Sequence, residues 1–576
     1  MGAREQVETR EPPVAQTVGL WVIAQDPWVR RDRESGKGPI LTALVRVPAE
    51  HLEPGPRGAR FQVVDYDPGT GRLEPPALAT HQDPSKPPSN RTLTEDPGFR
   101  VQNVYAIAAR TLAAFESALG RRLAWAFNGH KLYLVPRAFP EANAYYSPED
   151  GAIFFGYLPL AEGPQLQTAL SADVIAHETT HAVLDGLRPR FAEPGLPDQP
   201  AFHEAMGDIV ALLSVFSVQD VVESLLGPVS RAGRLANSRL TEEALGETAL
   251  FVLADELGAG LASERGSGLR RSRETPAGSA WRRDPAYDEA HKRGEVVVAA
   301  VLRTLLRMWT ERLEPLRSSR GADRARVAEE GAKAADHLLR MLIRGIDYMP
   351  PVELEFEDVL EAVLNADEVL APDDEHGYRD ALEESFADFD IRPQGHLIDL
   401  RERARPVYER INFGSLRGDR DEVQRFIWEN GDTFQCAERP EIDLGYRLTV
   451  DSVRPSVRVG PDGLVVQEVV ATYYQTLDLT AAELRERGVR LGRGVAAETP
   501  VQLWGGGVLV FDQFGRARFH QRKPLADWRR QQRRLRYLVR HGLRDSDGRY
   551  GFTLSIPHGQ RFAAMHVADR RAGEDW

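Results

Sequence analysis

Residues 171–185 constrain this chain more than any other segment. They hold His177, Glu178 and His181, so two histidines stand four positions apart with an acidic residue directly after the first. The segment contains no proline, and positions i and i+4 of an α-helix project from the same face. Two imidazoles in this arrangement can bind one zinc ion at ~2.0–2.1 Å, with the glutamate beside an open coordination position. The sequence therefore predicts a helix that presents a metal site.

A second helix is predicted to supply the third ligand that a catalytic zinc ion needs. Pro200 suits a first helical turn, and Glu204 and Asp208 follow it at helical spacing. We expect Glu204 to complete the zinc shell. We expect Asp208 to accept the outer N–H of His177 and so to fix the tautomer of that ring. The alternative is a surface helix with histidines at helical spacing and a solvated glutamate.

Composition limits what else the chain can be. Its 576 residues include a single cysteine, Cys436, so an intrachain disulfide is excluded and a metal must rely on His, Asp and Glu. The formal net charge of −13 argues against a general nucleic-acid-binding protein. The sequence contains no run of ~18 apolar residues, so no transmembrane helix is predicted. The polar N-terminus lacks the apolar core of a secretory signal. We expect a cytoplasmic protein, and export by another route stays open.

Apolar periodicity predicts an α+β protein. The predicted strands are 19–24, 40–47, 61–66, 131–135, 152–157, 446–450 and 464–474. The predicted helices are 101–119, 171–187, 200–217, 286–312, 325–345, 356–370 and 376–388. The glycines 505–507 lack the Lys-Ser/Thr of a phosphate-binding loop and are interpreted as a turn.

The two predicted metal-binding helices resemble those of the thermolysin-like zinc metallopeptidases. In that family an HExxH helix is followed by a Glu-x-x-x-Asp helix. The resemblance implies one Zn²⁺ ion on His177, His181 and Glu204, with Glu178 as the general base. It also implies that Asp208 orients the first histidine.

The same resemblance implies a two-lobed catalytic unit, with a β-rich N-terminal lobe and a mainly helical C-terminal lobe. Asp185 matches the family's carboxylate four residues after the second histidine. An extra β-rich domain is predicted to follow. The predicted parts are a flexible arm (1–16), a β-rich N-terminal region (17–99), the metallopeptidase domain (100–395), a connector (396–440) and a β-rich C-terminal domain that ends in a basic helix (441–576).

The segment from Asn143 to Tyr146 resembles the family's Asn-Ala-aromatic-aromatic edge strand. There the backbone and the Asn side chain hold an extended peptide, which is strand addition to a sheet edge. Asn143 and Ala144 are therefore candidate substrate contacts. The alternative is an ordinary buried strand end.

Residues 267–272 resemble the family's Leu-Arg-Ser segment. The resemblance implies that Leu269 lines the pocket after the scissile bond and that Arg270 binds the substrate carbonyl, although Arg271 fits that role equally well. Val174 matches another wall of that pocket. The resemblance thus implies cleavage before a medium-sized apolar residue. The alternative for residues 267–272 is a solvated basic loop.

His291 lies near the place where the family keeps its second catalytic histidine. The resemblance implies that it donates to the oxyanion, with Asp288 or Asp284 as its orienting carboxylate. A histidine at a helix start is also often a cap or a surface residue.

Two departures from the family stand out. The family's oxyanion tyrosine would fall on Ala192, and the neighbouring Phe191 has no hydroxyl. Asp173 matches a calcium ligand, but Val215 stands where a second acidic ligand is expected, which puts the calcium cluster in doubt.

Three functions follow as hypotheses. The first is a zinc endopeptidase acting on a peptide or protein substrate. The second is a catalytically weak or inactive zinc-binding protein that serves in interaction, which the missing tyrosine favours and the intact Glu178 opposes. The third applies the same zinc chemistry to another substrate, and the edge strand argues against it.

Residues 525–543 are predicted to form the basic C-terminal helix. Leu525, Trp528, Leu535 and Leu538 supply an apolar side. We interpret the arginines as a solvated face of a helix packed on the β domain. The alternative is docking to an acidic partner or a membrane surface.

Overall fold

A computed structural model shows a mixed α+β protein with several sheets. It describes residues 16–24, 40–67, 69, 71–73, 85–158, 165–193, 195–226, 229, 233–247, 275–393, 414, 417–430, 442–460, 463, 465–491 and 495–541.

The N-terminal half holds a two-stranded antiparallel sheet and a five-stranded sheet. Strands β1 and β2 pair antiparallel, and the larger sheet has the order β3-β6-β8-β7 with β9 paired to β8. The strands before the C-terminal sheet are β1 (Thr17–Ile23), β2 (Thr42–Pro48), β3 (Phe61–Val63), β4 (Tyr66–Asp67), β5 (Arg72–Leu73), β6 (Leu132–Phe139), β7 (Ala144–Ser147), β8 (Ala152–Leu158), β9 (Leu166–Gln167), β10 (Arg234–Leu235) and β11 (Ala322–Asp323). Strand β3 pairs with β6 across the boundary predicted at residues 99 and 100, so both sides of that boundary share one sheet.

Helices dominate the middle of the chain. The described helices are α1 (Asn90–Glu95), α2 (Pro97–Leu119), α3 (Ala172–Leu187), α4 (Asp198–Phe216), α5 (Gln219–Leu225), α6 (Glu242–Leu245), α7 (Ala290–Leu313), α8 (Arg324–Gly345), α9 (Phe356–Leu370), α10 (Tyr378–Ala387), α11 (Arg420–Glu429), α12 (Ala481–Glu486) and α13 (Trp528–Arg540). The predicted helix 356–370 has the bounds of α9, and the other predicted helices agree to within a few residues.

The central helix is α3, which packs against α2 and α4 inside the main hydrophobic core. Only His177 and Gly186 of its residues are partly exposed. The alternative of a surface helix is therefore wrong for the HExxH segment.

The C-terminal part forms a four-stranded antiparallel sheet in the order β12-β13-β14-β15. Its strands are β12 (Leu448–Val459), β13 (Val465–Thr480), β14 (Pro500–Asp512) and β15 (Ala517–Lys523). One face contributes side chains to the main core, namely those of Val470, Val508, Val510 and Phe519. The other face, with Val469 and Phe511 among its residues, packs against α11.

The turn predicted at residues 505–507 is wrong, because these glycines lie inside β14. A Cβ atom at Gly506 would lie 2.6 Å from the carbonyl oxygen of Tyr473, and one at Gly507 would lie 2.7 Å from that of Gln521. Glycine is needed here because neighbouring backbone approaches closely, which is one recognised use of glycine in a strand.

Helix α13 buries part of its basic side. Arg530 and Arg534 are 1% and 0% exposed, and Arg534 pairs with the buried Glu353. The interpretation of a wholly solvated arginine face is therefore wrong for these two residues. It holds for Arg529 and Arg536, which are exposed. Leu535 and Leu538 form the predicted apolar side.

A second buried group of charges, which we call the Asp347 junction, joins the C-terminal sheet to the helices. Its members are Arg121, Asp347, Tyr348, Arg458 and Glu468. Arg121 donates from Nη2 to Asp347 at 2.7 Å, and Arg458 lies 3.1 Å from Glu468 and 3.4 Å from Asp347. Tyr348 donates to Glu468 at 2.6 Å. Each carboxylate here therefore has a guanidinium partner.

Among the described residues, no single helix has the length and apolar composition needed to cross a bilayer. The helices Asp198–Phe216 and Gln219–Leu225 meet that test only when joined across an 86° bend.

Candidate metal centre

Helix α3 places two imidazoles next to each other on one face. His177 and His181 lie one turn apart, and their ring centres are 4.6 Å apart with perpendicular planes. The His181 side chain is fully buried, whereas that of His177 is 13% exposed. Of the two rings, only that of His177 therefore reaches solvent.

Helix α4 adds the carboxylate of Glu204. Its Oε2 atom lies 3.4 Å from Nε2 of His177 and 3.6 Å from Nε2 of His181. Ligand bonds of 2.0–2.2 Å in a tetrahedral zinc site put neighbouring ligand atoms about 3.3–3.6 Å apart. The three residues offer ligand atoms that all lie within 4.8 Å of one another. This donor set fits zinc in both chemistry and spacing.

Two glycines allow the helices to approach closely enough. A Cβ atom at Gly207 of α4 would lie 2.6 Å from Nδ1 of His177. A Cβ atom at Gly294 of α7 would lie 2.8 Å from the Ala201 carbonyl oxygen on α4. Both contacts are tighter than a side chain permits, so any larger residue would push α3 or α7 away from α4.

Glu204 is ionised in this setting. Burial alone raises the pKa of its carboxyl group, but the neighbouring His291, His181 and His177 hold that pKa well below its usual range. The group is therefore a carboxylate at neutral pH, the form that binds a metal.

Asp208 orients His177 as predicted from the spacing. Its Oδ1 atom lies 3.0 Å from Nδ1 of His177, so Nδ1–H donates to it while Nε2 faces Glu204. Burial lowers the pKa of His177, but the hydrogen bonds with Asp208 and Glu204 outweigh burial and raise it to about 10. The pocket thus favours positive charge at this place.

His203 is a residue that the sequence argument missed. Its Nδ1 atom lies 2.7 Å from Nδ1 of His181, and its ring lies nearly parallel to that of His181. Burial and the neighbouring His181 lower the pKa of His203 well below its usual range, so the ring is neutral. Its Nδ1 can then accept Nδ1–H of His181, which leaves Nε2 of His181 as the ligand. Its position directly before Glu204 was the available signal.

Glu178 is tied to the edge strand. Its fully buried carboxylate accepts the backbone N–H of Tyr146 at 3.1 Å. The Tyr146 hydroxyl donates to Asp185 at 3.1 Å, two turns further along α3. Strand β7 and helix α3 therefore hold each other in register, and Asp185 contacts the strand that precedes the metal site.

Strand β7 lies at the edge of its sheet, as the resemblance implies. It pairs only with β8 among the strands described. The Ala144 N–H donates to the Asn143 side-chain oxygen at 2.9 Å, and the Asn143 backbone carbonyl accepts the Gly156 N–H at 2.8 Å. Asn143 and Ala144 are both buried.

His291 joins the site, but not with the expected partners. Its Nε2 atom lies 3.1 Å from Oε2 of Glu204, and its Nδ1 atom lies 2.9 Å from Glu289. The predicted orienting residues Asp288 and Asp284 are wrong. Asp288 pairs with Arg540, and Asp284 accepts the N–H of the residue two positions later. Glu289 was overlooked because it is the helix N-cap, whose carboxylate also accepts two backbone N–H groups.

His291 carries a proton at neutral pH. Burial lowers its pKa, but the charge of Glu204 and the hydrogen bonds with Glu204 and Glu289 raise that pKa well above its ordinary value. Its Nε2–H is therefore a hydrogen-bond donor directed into the metal site.

The remaining candidates are those predicted to form the pocket after the scissile bond and to bind the substrate carbonyl. Val174 is buried one turn before Glu178, with 3% exposure. Leu269, Arg270 and Arg271 lie outside the described residues.

The structure shows the surroundings of Phe191, Asp173 and Val215, at which the sequence differs from the expected pattern or matches it in part. Phe191 packs edge-on against Phe202 in the core, at 5.9 Å between ring centres. Asp173 accepts a hydrogen bond from Ser171, and Val215 lines a small cavity whose other walls are mostly apolar.

Neither a scan against models of known protein families nor a search of curated proteins finds a match for this chain. The chemistry of the site must therefore be argued from its own residues. Two imidazole nitrogens and a carboxylate oxygen lie within reach of one metal ion, the Glu178 carboxylate follows the first histidine on the same helix, and the protonated His291 contacts the Glu204 carboxylate.

Proposed function

We propose that this protein is a zinc-dependent endopeptidase with Glu178 as its general base. The observation that carries the proposal is the spacing of the Glu204 oxygen from the two imidazole nitrogens, 3.4 and 3.6 Å, which suits tetrahedral zinc. His177, His181 and Glu204 would hold the ion. When bound, zinc acts as a Lewis acid that polarises a carbonyl group and makes water more acidic.

The role of Glu178 follows from its position. Because the Tyr146 N–H holds its carboxylate at a fixed angle beside the two histidines, the group can take a proton from water and pass it to the leaving amine. Nε2 of His291 lies 3.1 Å from the Glu204 Oε2 atom, so its N–H is at the metal site and would donate to the oxyanion that forms as water attacks.

A peptide substrate suits the edge strand. An extended chain that adds to β7 would run past Glu178, since Tyr146 belongs to that strand and contacts that side chain. We propose a preference for an apolar residue after the scissile bond, as the resemblance at Val174 and Leu269 implies.

A cleavage assay on a denatured protein mixture tests the proposal. We expect cuts that a zinc chelator abolishes and that added zinc restores, with apolar residues at the newly formed N-termini. Intact substrate, or cleavage that neither chelator nor Glu178→Gln reduces, would contradict it.

A second candidate is a zinc-binding protein with little or no catalysis. It is favoured by Ala192 and Phe191, which supply no hydroxyl donor where the family has one; the Phe191 ring instead packs in the core against Phe202. Stoichiometric zinc in a protein that cleaves nothing, with Glu178→Gln indistinguishable from the wild type, would support this candidate over the first.

A further inference from the structure

The C-terminal sheet contacts the end of the HExxH helix. Arg454 of β12 donates from Nη1 to the carbonyl oxygen of Leu187 at 2.6 Å. Leu187 is the last residue of α3, six positions after His181. A guanidinium at a helix C-terminus satisfies a carbonyl that has no partner within the helix and is favoured by the helix dipole.

The residues that follow α3 extend this contact. The Arg190 guanidinium lies 4.2 Å from the ring centre of Tyr474 and 4.9 Å from that of Trp504, on β13 and β14. It also lies 3.5 Å from Asp451 of β12. Three strands of the C-terminal sheet thus hold the chain where it leaves the helix.

The end of α13 contacts the start of the His291 helix. Arg540 donates to Asp288 at 2.8 Å, and Nε2 of His541 lies 3.6 Å from the same carboxylate. The next residue after Asp288 is Glu289, whose carboxylate holds Nδ1 of His291. The C-terminal region is therefore one contact removed from a second side chain of the site.

Buried ion pairs fix the sheet and α13 to the helical part. Glu353 and Arg534 pair with both side chains fully buried, and Lys523 of β15 lies 2.8 Å from Glu355. Pairs of this kind are costly to break, because either partner alone would leave a buried charge. The sheet is attached firmly enough to transmit a positional constraint.

We propose that the C-terminal sheet and α13 position the metal-site helices. Arg454 acts on His181 through the end of α3, and Arg540 acts on His291 through Asp288. Both are positioning residues, since neither touches the site. The inference rests on the proposed function, because it assigns the sheet a purpose in that same zinc site.

The first test compares Arg454→Met with Arg454→Lys and with Arg447→Met, an exposed arginine just before β12. We measure the rate at which a chelator removes zinc and the hydrogen exchange of the amides at residues 184–188. We expect Arg454→Met to exchange faster at those amides, because the end of α3 loses its partner, and to release zinc at most about tenfold faster, the lower end of the effect of residues bonded directly to metal ligands. Arg454→Lys should recover part of both, and Arg447→Met should match the wild type. Equal zinc release and equal exchange in all four proteins would overturn the proposal.

The second test removes a mostly exposed side chain. Arg540→Ala deletes a side chain that is 68% exposed, and Arg536→Ala is its control, an exposed arginine of the same helix. We expect faster exchange at the amides of His291 and Lys292 in Arg540→Ala only. Unchanged exchange at these amides would refute the role of Arg540. This second comparison decides the proposal if Arg454→Met fails to fold. A wild type that holds no zinc refutes the proposed function, whereas the exchange measurements still decide the positioning.

Discussion

The metal centre and the Asp347 junction are both buried groups of charged side chains, and they differ in how their charges are balanced. In the junction, Arg121 and Arg458 lie directly against Asp347 and Glu468, so two cations meet two anions. In the metal centre, the Glu204 carboxylate instead contacts three imidazoles, those of His177, His181 and His291. The positive charge of the junction is carried by guanidinium groups, which are always charged, whereas any positive charge in the metal centre depends on protons held by imidazoles, which a metal ion would replace. A buried group of charges therefore indicates a metal site when its imidazole and carboxylate ligand atoms lie close enough together for one ion to contact them all.

The strongest way to break this comparison is to remove a ligand. We expect His181→Ala to lose its zinc and, with it, all metal-dependent hydrolysis, because two ligands remain where catalytic sites use three. Metal analysis of the purified protein measures the effect. The exposed His130→Ala is the control and should keep its zinc. Undiminished zinc in His181→Ala would refute the ligand assignment.

Removing the base separates binding from chemistry within the metal centre. We expect Glu178→Gln to retain zinc and to lose about 10²–10⁴-fold in hydrolysis rate, since general acid–base catalysis typically contributes that much. Rate and metal content are measured on the same sample. Glu149→Gln, an exposed residue in the turn after β7, should behave as wild type. Full activity in Glu178→Gln would assign the base elsewhere.

Breaking the junction should cost stability and leave the metal chemistry intact. We expect Asp347→Asn to lower the free energy of unfolding by about 3–5 kcal/mol, because two buried guanidinium groups lose their shared carboxylate. Denaturant titration measures this, with the exposed Asp373→Asn as control. The zinc content per folded Asp347→Asn molecule should equal that of the wild type. A loss below ~1 kcal/mol, the usual size for a surface pair, would show that the junction is not the tightly balanced cluster described.

The junction should also respond to acid. Burial raises the pKa of Asp347, but Arg121 and Arg458 outweigh burial and lower it. A depressed carboxyl pKa contributes stability above the unfolded value of about 3.9, and that stability is lost as the pH falls further. Wild-type stability should therefore drop below about pH 4 more steeply than that of Asp347→Asn. Parallel curves for the two proteins would contradict this account.

The contact behind His181 offers a smaller effect within the metal centre. His203→Phe keeps a ring of similar shape and removes the acceptor for His181 Nδ1, so we expect zinc affinity to fall by about 10–100-fold. His203→Asn keeps an acceptor and should bind more tightly than the Phe variant. Competition with a chromophoric chelator measures both affinities. Equal affinity in both variants would argue that ring packing, not the hydrogen bond, holds His181.

The sequence predicted those features of this molecule that depend on the spacing of residues within one helix. Helical spacing predicted α3 and α4, put His177 and His181 on one face, and put Asp208 one turn after Glu204, because positions four apart share a helix face. That α4 turns Glu204 and Asp208 towards the histidines was predicted from the third ligand that a catalytic zinc ion needs and from the resemblance, and the distances agree with it.

Contacts between distant segments escaped the sequence argument. His203 was missed because its role depends on the rotation of α4 against α3. Glu289 was missed because it is the N-cap of α7, and Asp288 was expected in its place although it pairs with Arg540, some 250 residues away in sequence. The glycines of β14 look like a turn until the neighbouring strands are known. The roles of Leu269 and Arg270 and the domain boundaries stay predictions.

One measurement tests the central claim most directly, namely anomalous diffraction at the zinc edge from crystals of the purified protein. The account predicts a single strong peak within about 2.0–2.2 Å of Nε2 of His177, Nε2 of His181 and a carboxylate oxygen of Glu204. A peak bound by other residues, or zinc-soaked crystals with no peak between α3 and α4, would contradict it.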